Sequence, residues 1–129
     1  MTFKEYLHIA AHEIEQCLTG VLAKRKEEIS QNQPHLLPLI NAFVKQCQGG
    51  KRVRGTLVKL GYSLAGGKAS QSIIQPAVAF EIFETAVLAH DDIIDKSPLR
   101  RGRPSMYQSL GGNHYGISQT ICLGDLGIL

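Results

Sequence analysis

A chain of 129 residues, 43% hydrophobic and only 19% charged, has the size and apolar content for one packed domain and excludes a disordered, charge-rich polymer. Fourteen Lys and Arg against eleven Asp and Glu leave a net charge of +3, too small an excess to argue by itself for a nucleic-acid partner. Cys17, Cys47 and Cys122 are odd in number, far apart and in no zinc-ligand spacing, which points away from a disulfide framework and toward reduced thiols in a cytoplasmic protein.

Strand signatures are nearly absent, so the expected fold class is all-α. Tyr6, Leu7, Ala10, Ile14, Leu18 and Leu22 recur at helical spacing and predict one long amphipathic helix from Phe3 to Ser30, with acids early and Lys24, Arg25 and Lys26 late. No continuous apolar core of a signal peptide opens the chain and no run of about 18 apolar residues follows, so no membrane span is expected. Asn32 and Pro34 lead into a second helix through Val44 or Gln48, with Pro38 in its early turns or dividing it and Gly49-Gly50 ending it. A third helix is expected from about Lys51 to Ala65, stopped by Gly66-Gly67, which supply the positive φ of a helix exit. Pro76 suits the first turn of a fourth. From Ala77 to Ala89 its residues are apolar on nearly every side, as in a helix surrounded by others, and its polar end reads HDDIID. Lys96 to Pro104 reads as a loop, Gly111-Gly112 as a break, and His114 to Leu129 as a further apolar helix.

The chemistry concentrates at the end of the fourth helix. Asp91 and Asp95 fall on one face a turn apart, with Asp92 beside them. Two carboxylates about 6 Å apart repel by ~3 kcal/mol at an effective dielectric near 20, and acids at a helix C-terminus also oppose its dipole. Oxygen ligands in this arrangement suit Mg²⁺, which takes one or two carboxylates, keeps waters and fills its remaining positions with phosphate oxygens. The plain alternative is an acidic helix end paired with the arginines that follow. Those arginines, in Arg100-Arg101-Gly102-Arg103, present guanidinium forks matched to phosphate oxygens, or else form surface salt bridges worth ~0–1 kcal/mol each. A second basic group, QGGKRVRG, sets Lys51, Arg52 and Arg54 at a helix start, where the dipole and backbone N–H groups favour an anion; Lys51 and Arg54 share a face. It is not a P-loop. His8 and His12 are four apart, but HEIEQ is not a zinc-protease HExxH, and surface histidines on a charged helix need no metal.

Two anion sites beside an apolar helix imply two phosphorylated substrates with apolar tails. GGKRVR, then HDDIID, then RRGRPS, with GDL downstream, resembles the N-terminal part of the isoprenyl diphosphate synthases, the trans-prenyltransferases, from about Gly49 to Leu129. The resemblance implies an isoprenoid-synthase-type helical bundle around a central apolar helix, of which residues 1–129 would be the N-terminal portion of one polyprenyl synthetase domain. It implies catalytic roles for Asp91, Asp92 and Asp95, with Asp91 and Asp95 as Mg²⁺ ligands for an allylic diphosphate and Asp92 assisting. Arg100 would contact that same diphosphate, while Lys51, Arg54 and Arg101 would bind isopentenyl diphosphate. Cationic groups then neutralise the departing diphosphate, the allylic C–O bond ionises, isopentenyl diphosphate attacks the carbocation and a proton is lost. The implied partners are those two diphosphates and a second copy of the chain, with no nucleic acid.

The chain departs from the family pattern at three places. Glu84 stands where many relatives carry a histidine, Gly55 replaces the proline that usually follows the KRVR run, and the family's second aspartate-rich motif would fall beyond Leu129. The 129 residues are therefore expected to lack half of the metal site and not to turn over substrate alone; a noncatalytic diphosphate-binding subunit is the rival reading. In this family the product grows alongside the apolar helix. Small Ala86 and Val87 leave room beyond a farnesyl group, and Phe83 and Phe80 stand further down, which favours a C20 product, then longer chains, then C15.

Overall fold

A computed structural model describes residues 1–68 and 71–128, the last six by backbone alone. Six helices account for most of it: α1 (Phe3–Asn32), α2 (Leu37–Cys47), α3 (Val53–Leu64), α4 (Ile74–Ile94), α5 (Met106–Ser109) and α6 (His114–Ile128). Single 3₁₀ turns at Pro34–Leu36 and Gln71–Ile73 precede α2 and α4, and two short strands, β1 (Leu99–Arg100) and β2 (Arg103–Pro104), form a hairpin. The all-α class expected from the sequence is the one observed.

The chain divides into two compact units, one of Met1–Lys24 with Gly50–Glu81, the other of Arg25–Gly49 with the residues from Ile82 onward. In the first, Ala10, Ile14 and Leu18 of α1 are buried, as are Thr56 of α3 and Ile74, Ala77 and Val78 of α4. A Cβ on Gly55 would lie 2.9 Å from the Ala77 carbonyl oxygen and 3.0 Å from Ile14 Cδ1. Only glycine lets the backbone of α3 come this close. In the second unit, α2 packs on α5 and α6 around Ile40, Phe43, Cys47, Met106 and Thr120.

Helix ends follow their caps. Thr2 and Glu5 make a reciprocal capping box at the start of α1: Thr2 N–H donates to Glu5 Oε2 at 2.6 Å and Glu5 N–H to Thr2 Oγ1 at 3.3 Å. At the far end of α3, Gly66 takes φ 86°, its N–H donates to Ser63 O and that of Gly67 to Tyr62 O, a Schellman pair. The same pair closes α4 with a lysine in the glycine's place: Lys96, at φ 52°, donates to Ile93 O, and Ser97 to Asp92 O.

Three expectations are corrected. Residues Pro34 to Leu36 form a separate 3₁₀ turn, so α2 starts at Leu37 with Pro38 in its first turn. Arg52 has φ 54°, which cannot propagate a helix, and α3 begins at Val53 instead of Lys51. The expected loop after α4 contains a hairpin whose two-residue turn, Arg101-Gly102, has φ 52° and 73°, the left-handed pair of a type I′ turn. One apolar segment bears on the expected absence of a membrane span: an 18-residue window within Gln71–Ile94 has mean hydropathy 1.4, enough to span by length and composition alone. Buried Glu81 and Asp92 on α4, each engaged by an arginine, are instead what a core helix of a folded domain carries.

Candidate functional site

The last turn of α4 and the residue after it carry Asp91, Asp92 and Asp95, which the structure sets in different surroundings. Asp92 is 1% exposed. Its two oxygens face Arg100 of β1, which donates from Nη2 to Oδ1 at 2.6 Å and from Nε to both oxygens at 3.1 Å. That hydrogen bond, reinforced by the charges of Asp92, Asp91 and Asp95, pushes the Arg100 guanidinium above its already high value against some desolvation, so it is a fixed cation. The plain alternative read from the sequence, an acid paired with a following arginine, thus describes Asp92 and Arg100. Asp91 is half-buried and Asp95 exposed, one turn apart along the helix.

The donor chemistry tests the Mg²⁺ expectation. Asp91 and Asp95 offer hard oxygen ligands at helical i, i+4 spacing, which fits an ion that takes one or two carboxylates and completes its shell with water and phosphate oxygens. Asp92 does not fit as a ligand while both of its oxygens accept from Arg100. Among the described residues no group of three or more His, Cys, Asp or Glu side chains forms a metal cage, so the fit is that of an open, two-carboxylate site.

The hairpin sends its other arginines elsewhere. Arg101 Nη1 donates to Gln48 O at 3.0 Å and to Gln46 O at 3.4 Å, and Arg103 Nη2 to Gln48 O at 3.0 Å. Gln46 Nε2 returns a bond to Pro104 O at 3.1 Å. The Gln46 carbonyl lies in the last turn of α2 and Gln48 is its C-cap, at the negative end of the helix dipole.

The first unit holds the remaining predicted residues. Lys51 and Arg54 are exposed at the start of α3, on either side of Arg52, which points inward and is 3% exposed. Arg52 Nε donates to Glu15 Oε2 at 2.5 Å, and its Nη1 lies 3.5 Å from Glu81 Oε2. Glu81 also accepts the Gly55 N–H at 2.8 Å. Sequence reasoning missed this network. Its signal was present: a lone glutamate in the apolar run AVAFEIF needs a partner. The structure therefore gathers Asp91, Asp92, Asp95 and Arg100 at one helix end in the second unit, and sets Lys51 and Arg54 at a helix start in the first; Arg101 belongs to the second, bound to α2. Glu84 is half-buried.

Residues 35–128, which contain every one of these candidates, match the Polyprenyl synthetase family. The chain belongs to the polyprenyl synthetase family. It is 36% identical over 78 residues to a geranylgeranyl diphosphate synthase of Sulfolobus acidocaldarius, covering 60% of this chain and 22% of that protein. It is 38% identical over 91 residues to heptaprenyl diphosphate synthase component 2 of Geobacillus stearothermophilus, covering 69% and 28%. An octaprenyl diphosphate synthase of Haemophilus influenzae is 27% identical over 125 residues, 97% of this chain and 34% of that protein. The polyprenyl synthetase chain described here thus spans between about a fifth and a third of the length of these relatives.

Proposed function

We propose that this chain carries the first diphosphate-binding half of a prenyltransferase that condenses an allylic diphosphate with isopentenyl diphosphate. The observation that carries the reading is the split at the end of α4: Asp92 is locked by Arg100, while Asp91 and Asp95, a turn apart, remain on the more open side of the helix. Asp91 and Asp95 would hold Mg²⁺, which when bound offsets charge on a leaving diphosphate. Arg100, held cationic beside them, adds a fixed positive charge at the same helix end. Lys51 and Arg54 are the cations of the first unit proposed for isopentenyl diphosphate.

Product length is read from the α4 face that bears the carboxylates. Phe83 and Val87 lie at helical spacing from Asp91 and are exposed and half-buried respectively; Ala86 is fully buried and lies off that face. Val87 is small and Phe83 large, and this ordering supports a C20 product over longer or shorter ones. The relatives named above include makers of several lengths by their names, so the ordering rests on these two residues.

The test is incubation of the protein, at the full length its gene encodes, with labelled isopentenyl diphosphate, a set of allylic primers and Mg²⁺, followed by sizing of the products. Elongated product that disappears in Asp91→Ala and Asp95→Ala, by about three orders of magnitude or more, is expected. Full condensation by either variant rules out the metal assignment. A second reading is a diphosphate-binding subunit that needs a separate catalytic partner. It predicts bound isopentenyl diphosphate with no turnover.

A further inference from the structure

The first unit contains a buried charged group that the proposed chemistry does not use. Arg52 is held at both ends. Its carbonyl accepts from Thr56 N–H at 3.0 Å and Thr56 Oγ1 at 2.7 Å, while its guanidinium is engaged by Glu15 of α1 and faces Glu81 of α4. Its backbone sits at φ 54° and ψ 32°, a left-handed conformation that costs a non-glycine residue free energy and persists only where the surroundings enforce it. Arg52 occupies the N-cap position of α3 but supplies no side-chain cap. The cap comes from another helix: Glu81 Oε1 accepts the N–H of Gly55, the third residue of α3.

A carboxylate placed there satisfies a helix-start donor, yet by itself it would repel any anion drawn to Lys51 and Arg54. The Arg52 guanidinium supplies the opposing charge, 3.5 Å away. With Arg52 turned inward, the neighbouring Lys51 and Arg54 are turned out.

We propose that Arg52, clamped between Glu15 and Glu81, is a positioning residue that sets the rotation of the first turn of α3 and masks Glu81, so that Lys51 and Arg54 present a net positive anion site. The inference rests on the reading of Lys51 and Arg54 as diphosphate ligands.

Binding of isopentenyl diphosphate to the 129-residue chain, followed by titration calorimetry, separates the two claims. Arg54→Ala, which removes a direct cation, should weaken binding by about tenfold or more. Unchanged affinity in Arg54→Ala means that the diphosphate reading itself fails at this site. Given a loss in Arg54→Ala, Arg52→Met with helical content retained should also weaken binding by about tenfold, and Arg52→Lys should recover part of it, because an ammonium restores the charge but not the forked geometry. Wild-type affinity in folded Arg52→Met overturns the positioning role alone. Should Arg52→Met fail to fold, Glu81→Gln decides. It keeps an acceptor for Gly55 N–H and removes the anion, so it should leave the helix start capped and bind the diphosphate at least as tightly as the unmodified chain; weaker binding there overturns the masking argument.

Discussion

Both oxygens of Asp92 accept from one guanidinium in an environment that excludes water from the acid, so removing either partner strands a charge. Asp92→Ala should destabilise the protein by about 2–3 kcal/mol, below the range for fully buried pairs because Arg100 keeps partial contact with solvent. Asp95→Asn, at an exposed position, should stay within about 0.5 kcal/mol of wild type. Urea titrations of the two variants measure the contrast; equal losses would show that the three aspartates form one structural unit. At position 55 the family's usual proline would remove the N–H that Glu81 accepts, and its ring carbons would press on the Ala77 carbonyl. Gly55→Pro should therefore destabilise by more than about 2 kcal/mol, whereas a neutral change would mean that α3 can withdraw from α4 without cost. The sequence made the cluster of acids visible, and it made the chemistry they could share visible. It did not show which acid Arg100 takes, because helical periodicity gives a face and not the position of a strand five residues beyond the helix.

The elements were legible where punctuation obeys common rules and obscure where it breaks them. Gly66 announces the end of α3 because glycine adopts positive φ at little cost. Lys96 and Arg101 adopt the same region without announcing anything: the loop was expected from Lys96 onward, but the hairpin turn within it escaped notice. Lys96→Gly should raise stability by about 0.5–1 kcal/mol, read as a higher urea midpoint with unchanged slope. At the other end of the chain, the Thr2 N–H and hydroxyl hold the Glu5 carboxyl below its usual value. A lowered carboxyl stabilises the folded form above the ordinary Glu range, near pH 4.3, and that contribution vanishes as pH falls through the folded value. Acidification should therefore lower the amide-exchange protection factors in the first turn of α1, taken against the unfolded chain at the same pH, and Glu5→Gln should remove that pH dependence. The α1 stripe, by contrast, was read almost residue for residue, since Ala10, Ile14, Leu18 and Leu22 are all buried.

At the scale of the molecule, the all-α class and the family followed from period and motif, while the division into two units did not. Nothing in composition changes at Lys24 or Glu81, because α1 and α4 each run through both units without a break. The apolar character of α4 misleads in the same way: hydropathy alone counts Gln71–Ile94 as a span, and only the arginines engaging Glu81 and Asp92 mark it as a core element. The Arg101-Gly102 hairpin carries a further consequence for how this stretch can evolve. Its two-residue turn sends neighbouring arginines to different destinations, Arg100 to an acid and Arg101 to the end of α2. Inserting or deleting one codon between Asp95 and Arg100 would shift the strand by a residue, so that Arg100 and Arg101 could not both keep their present partners. Substitutions in this segment can accumulate one at a time, but changes in its length cannot.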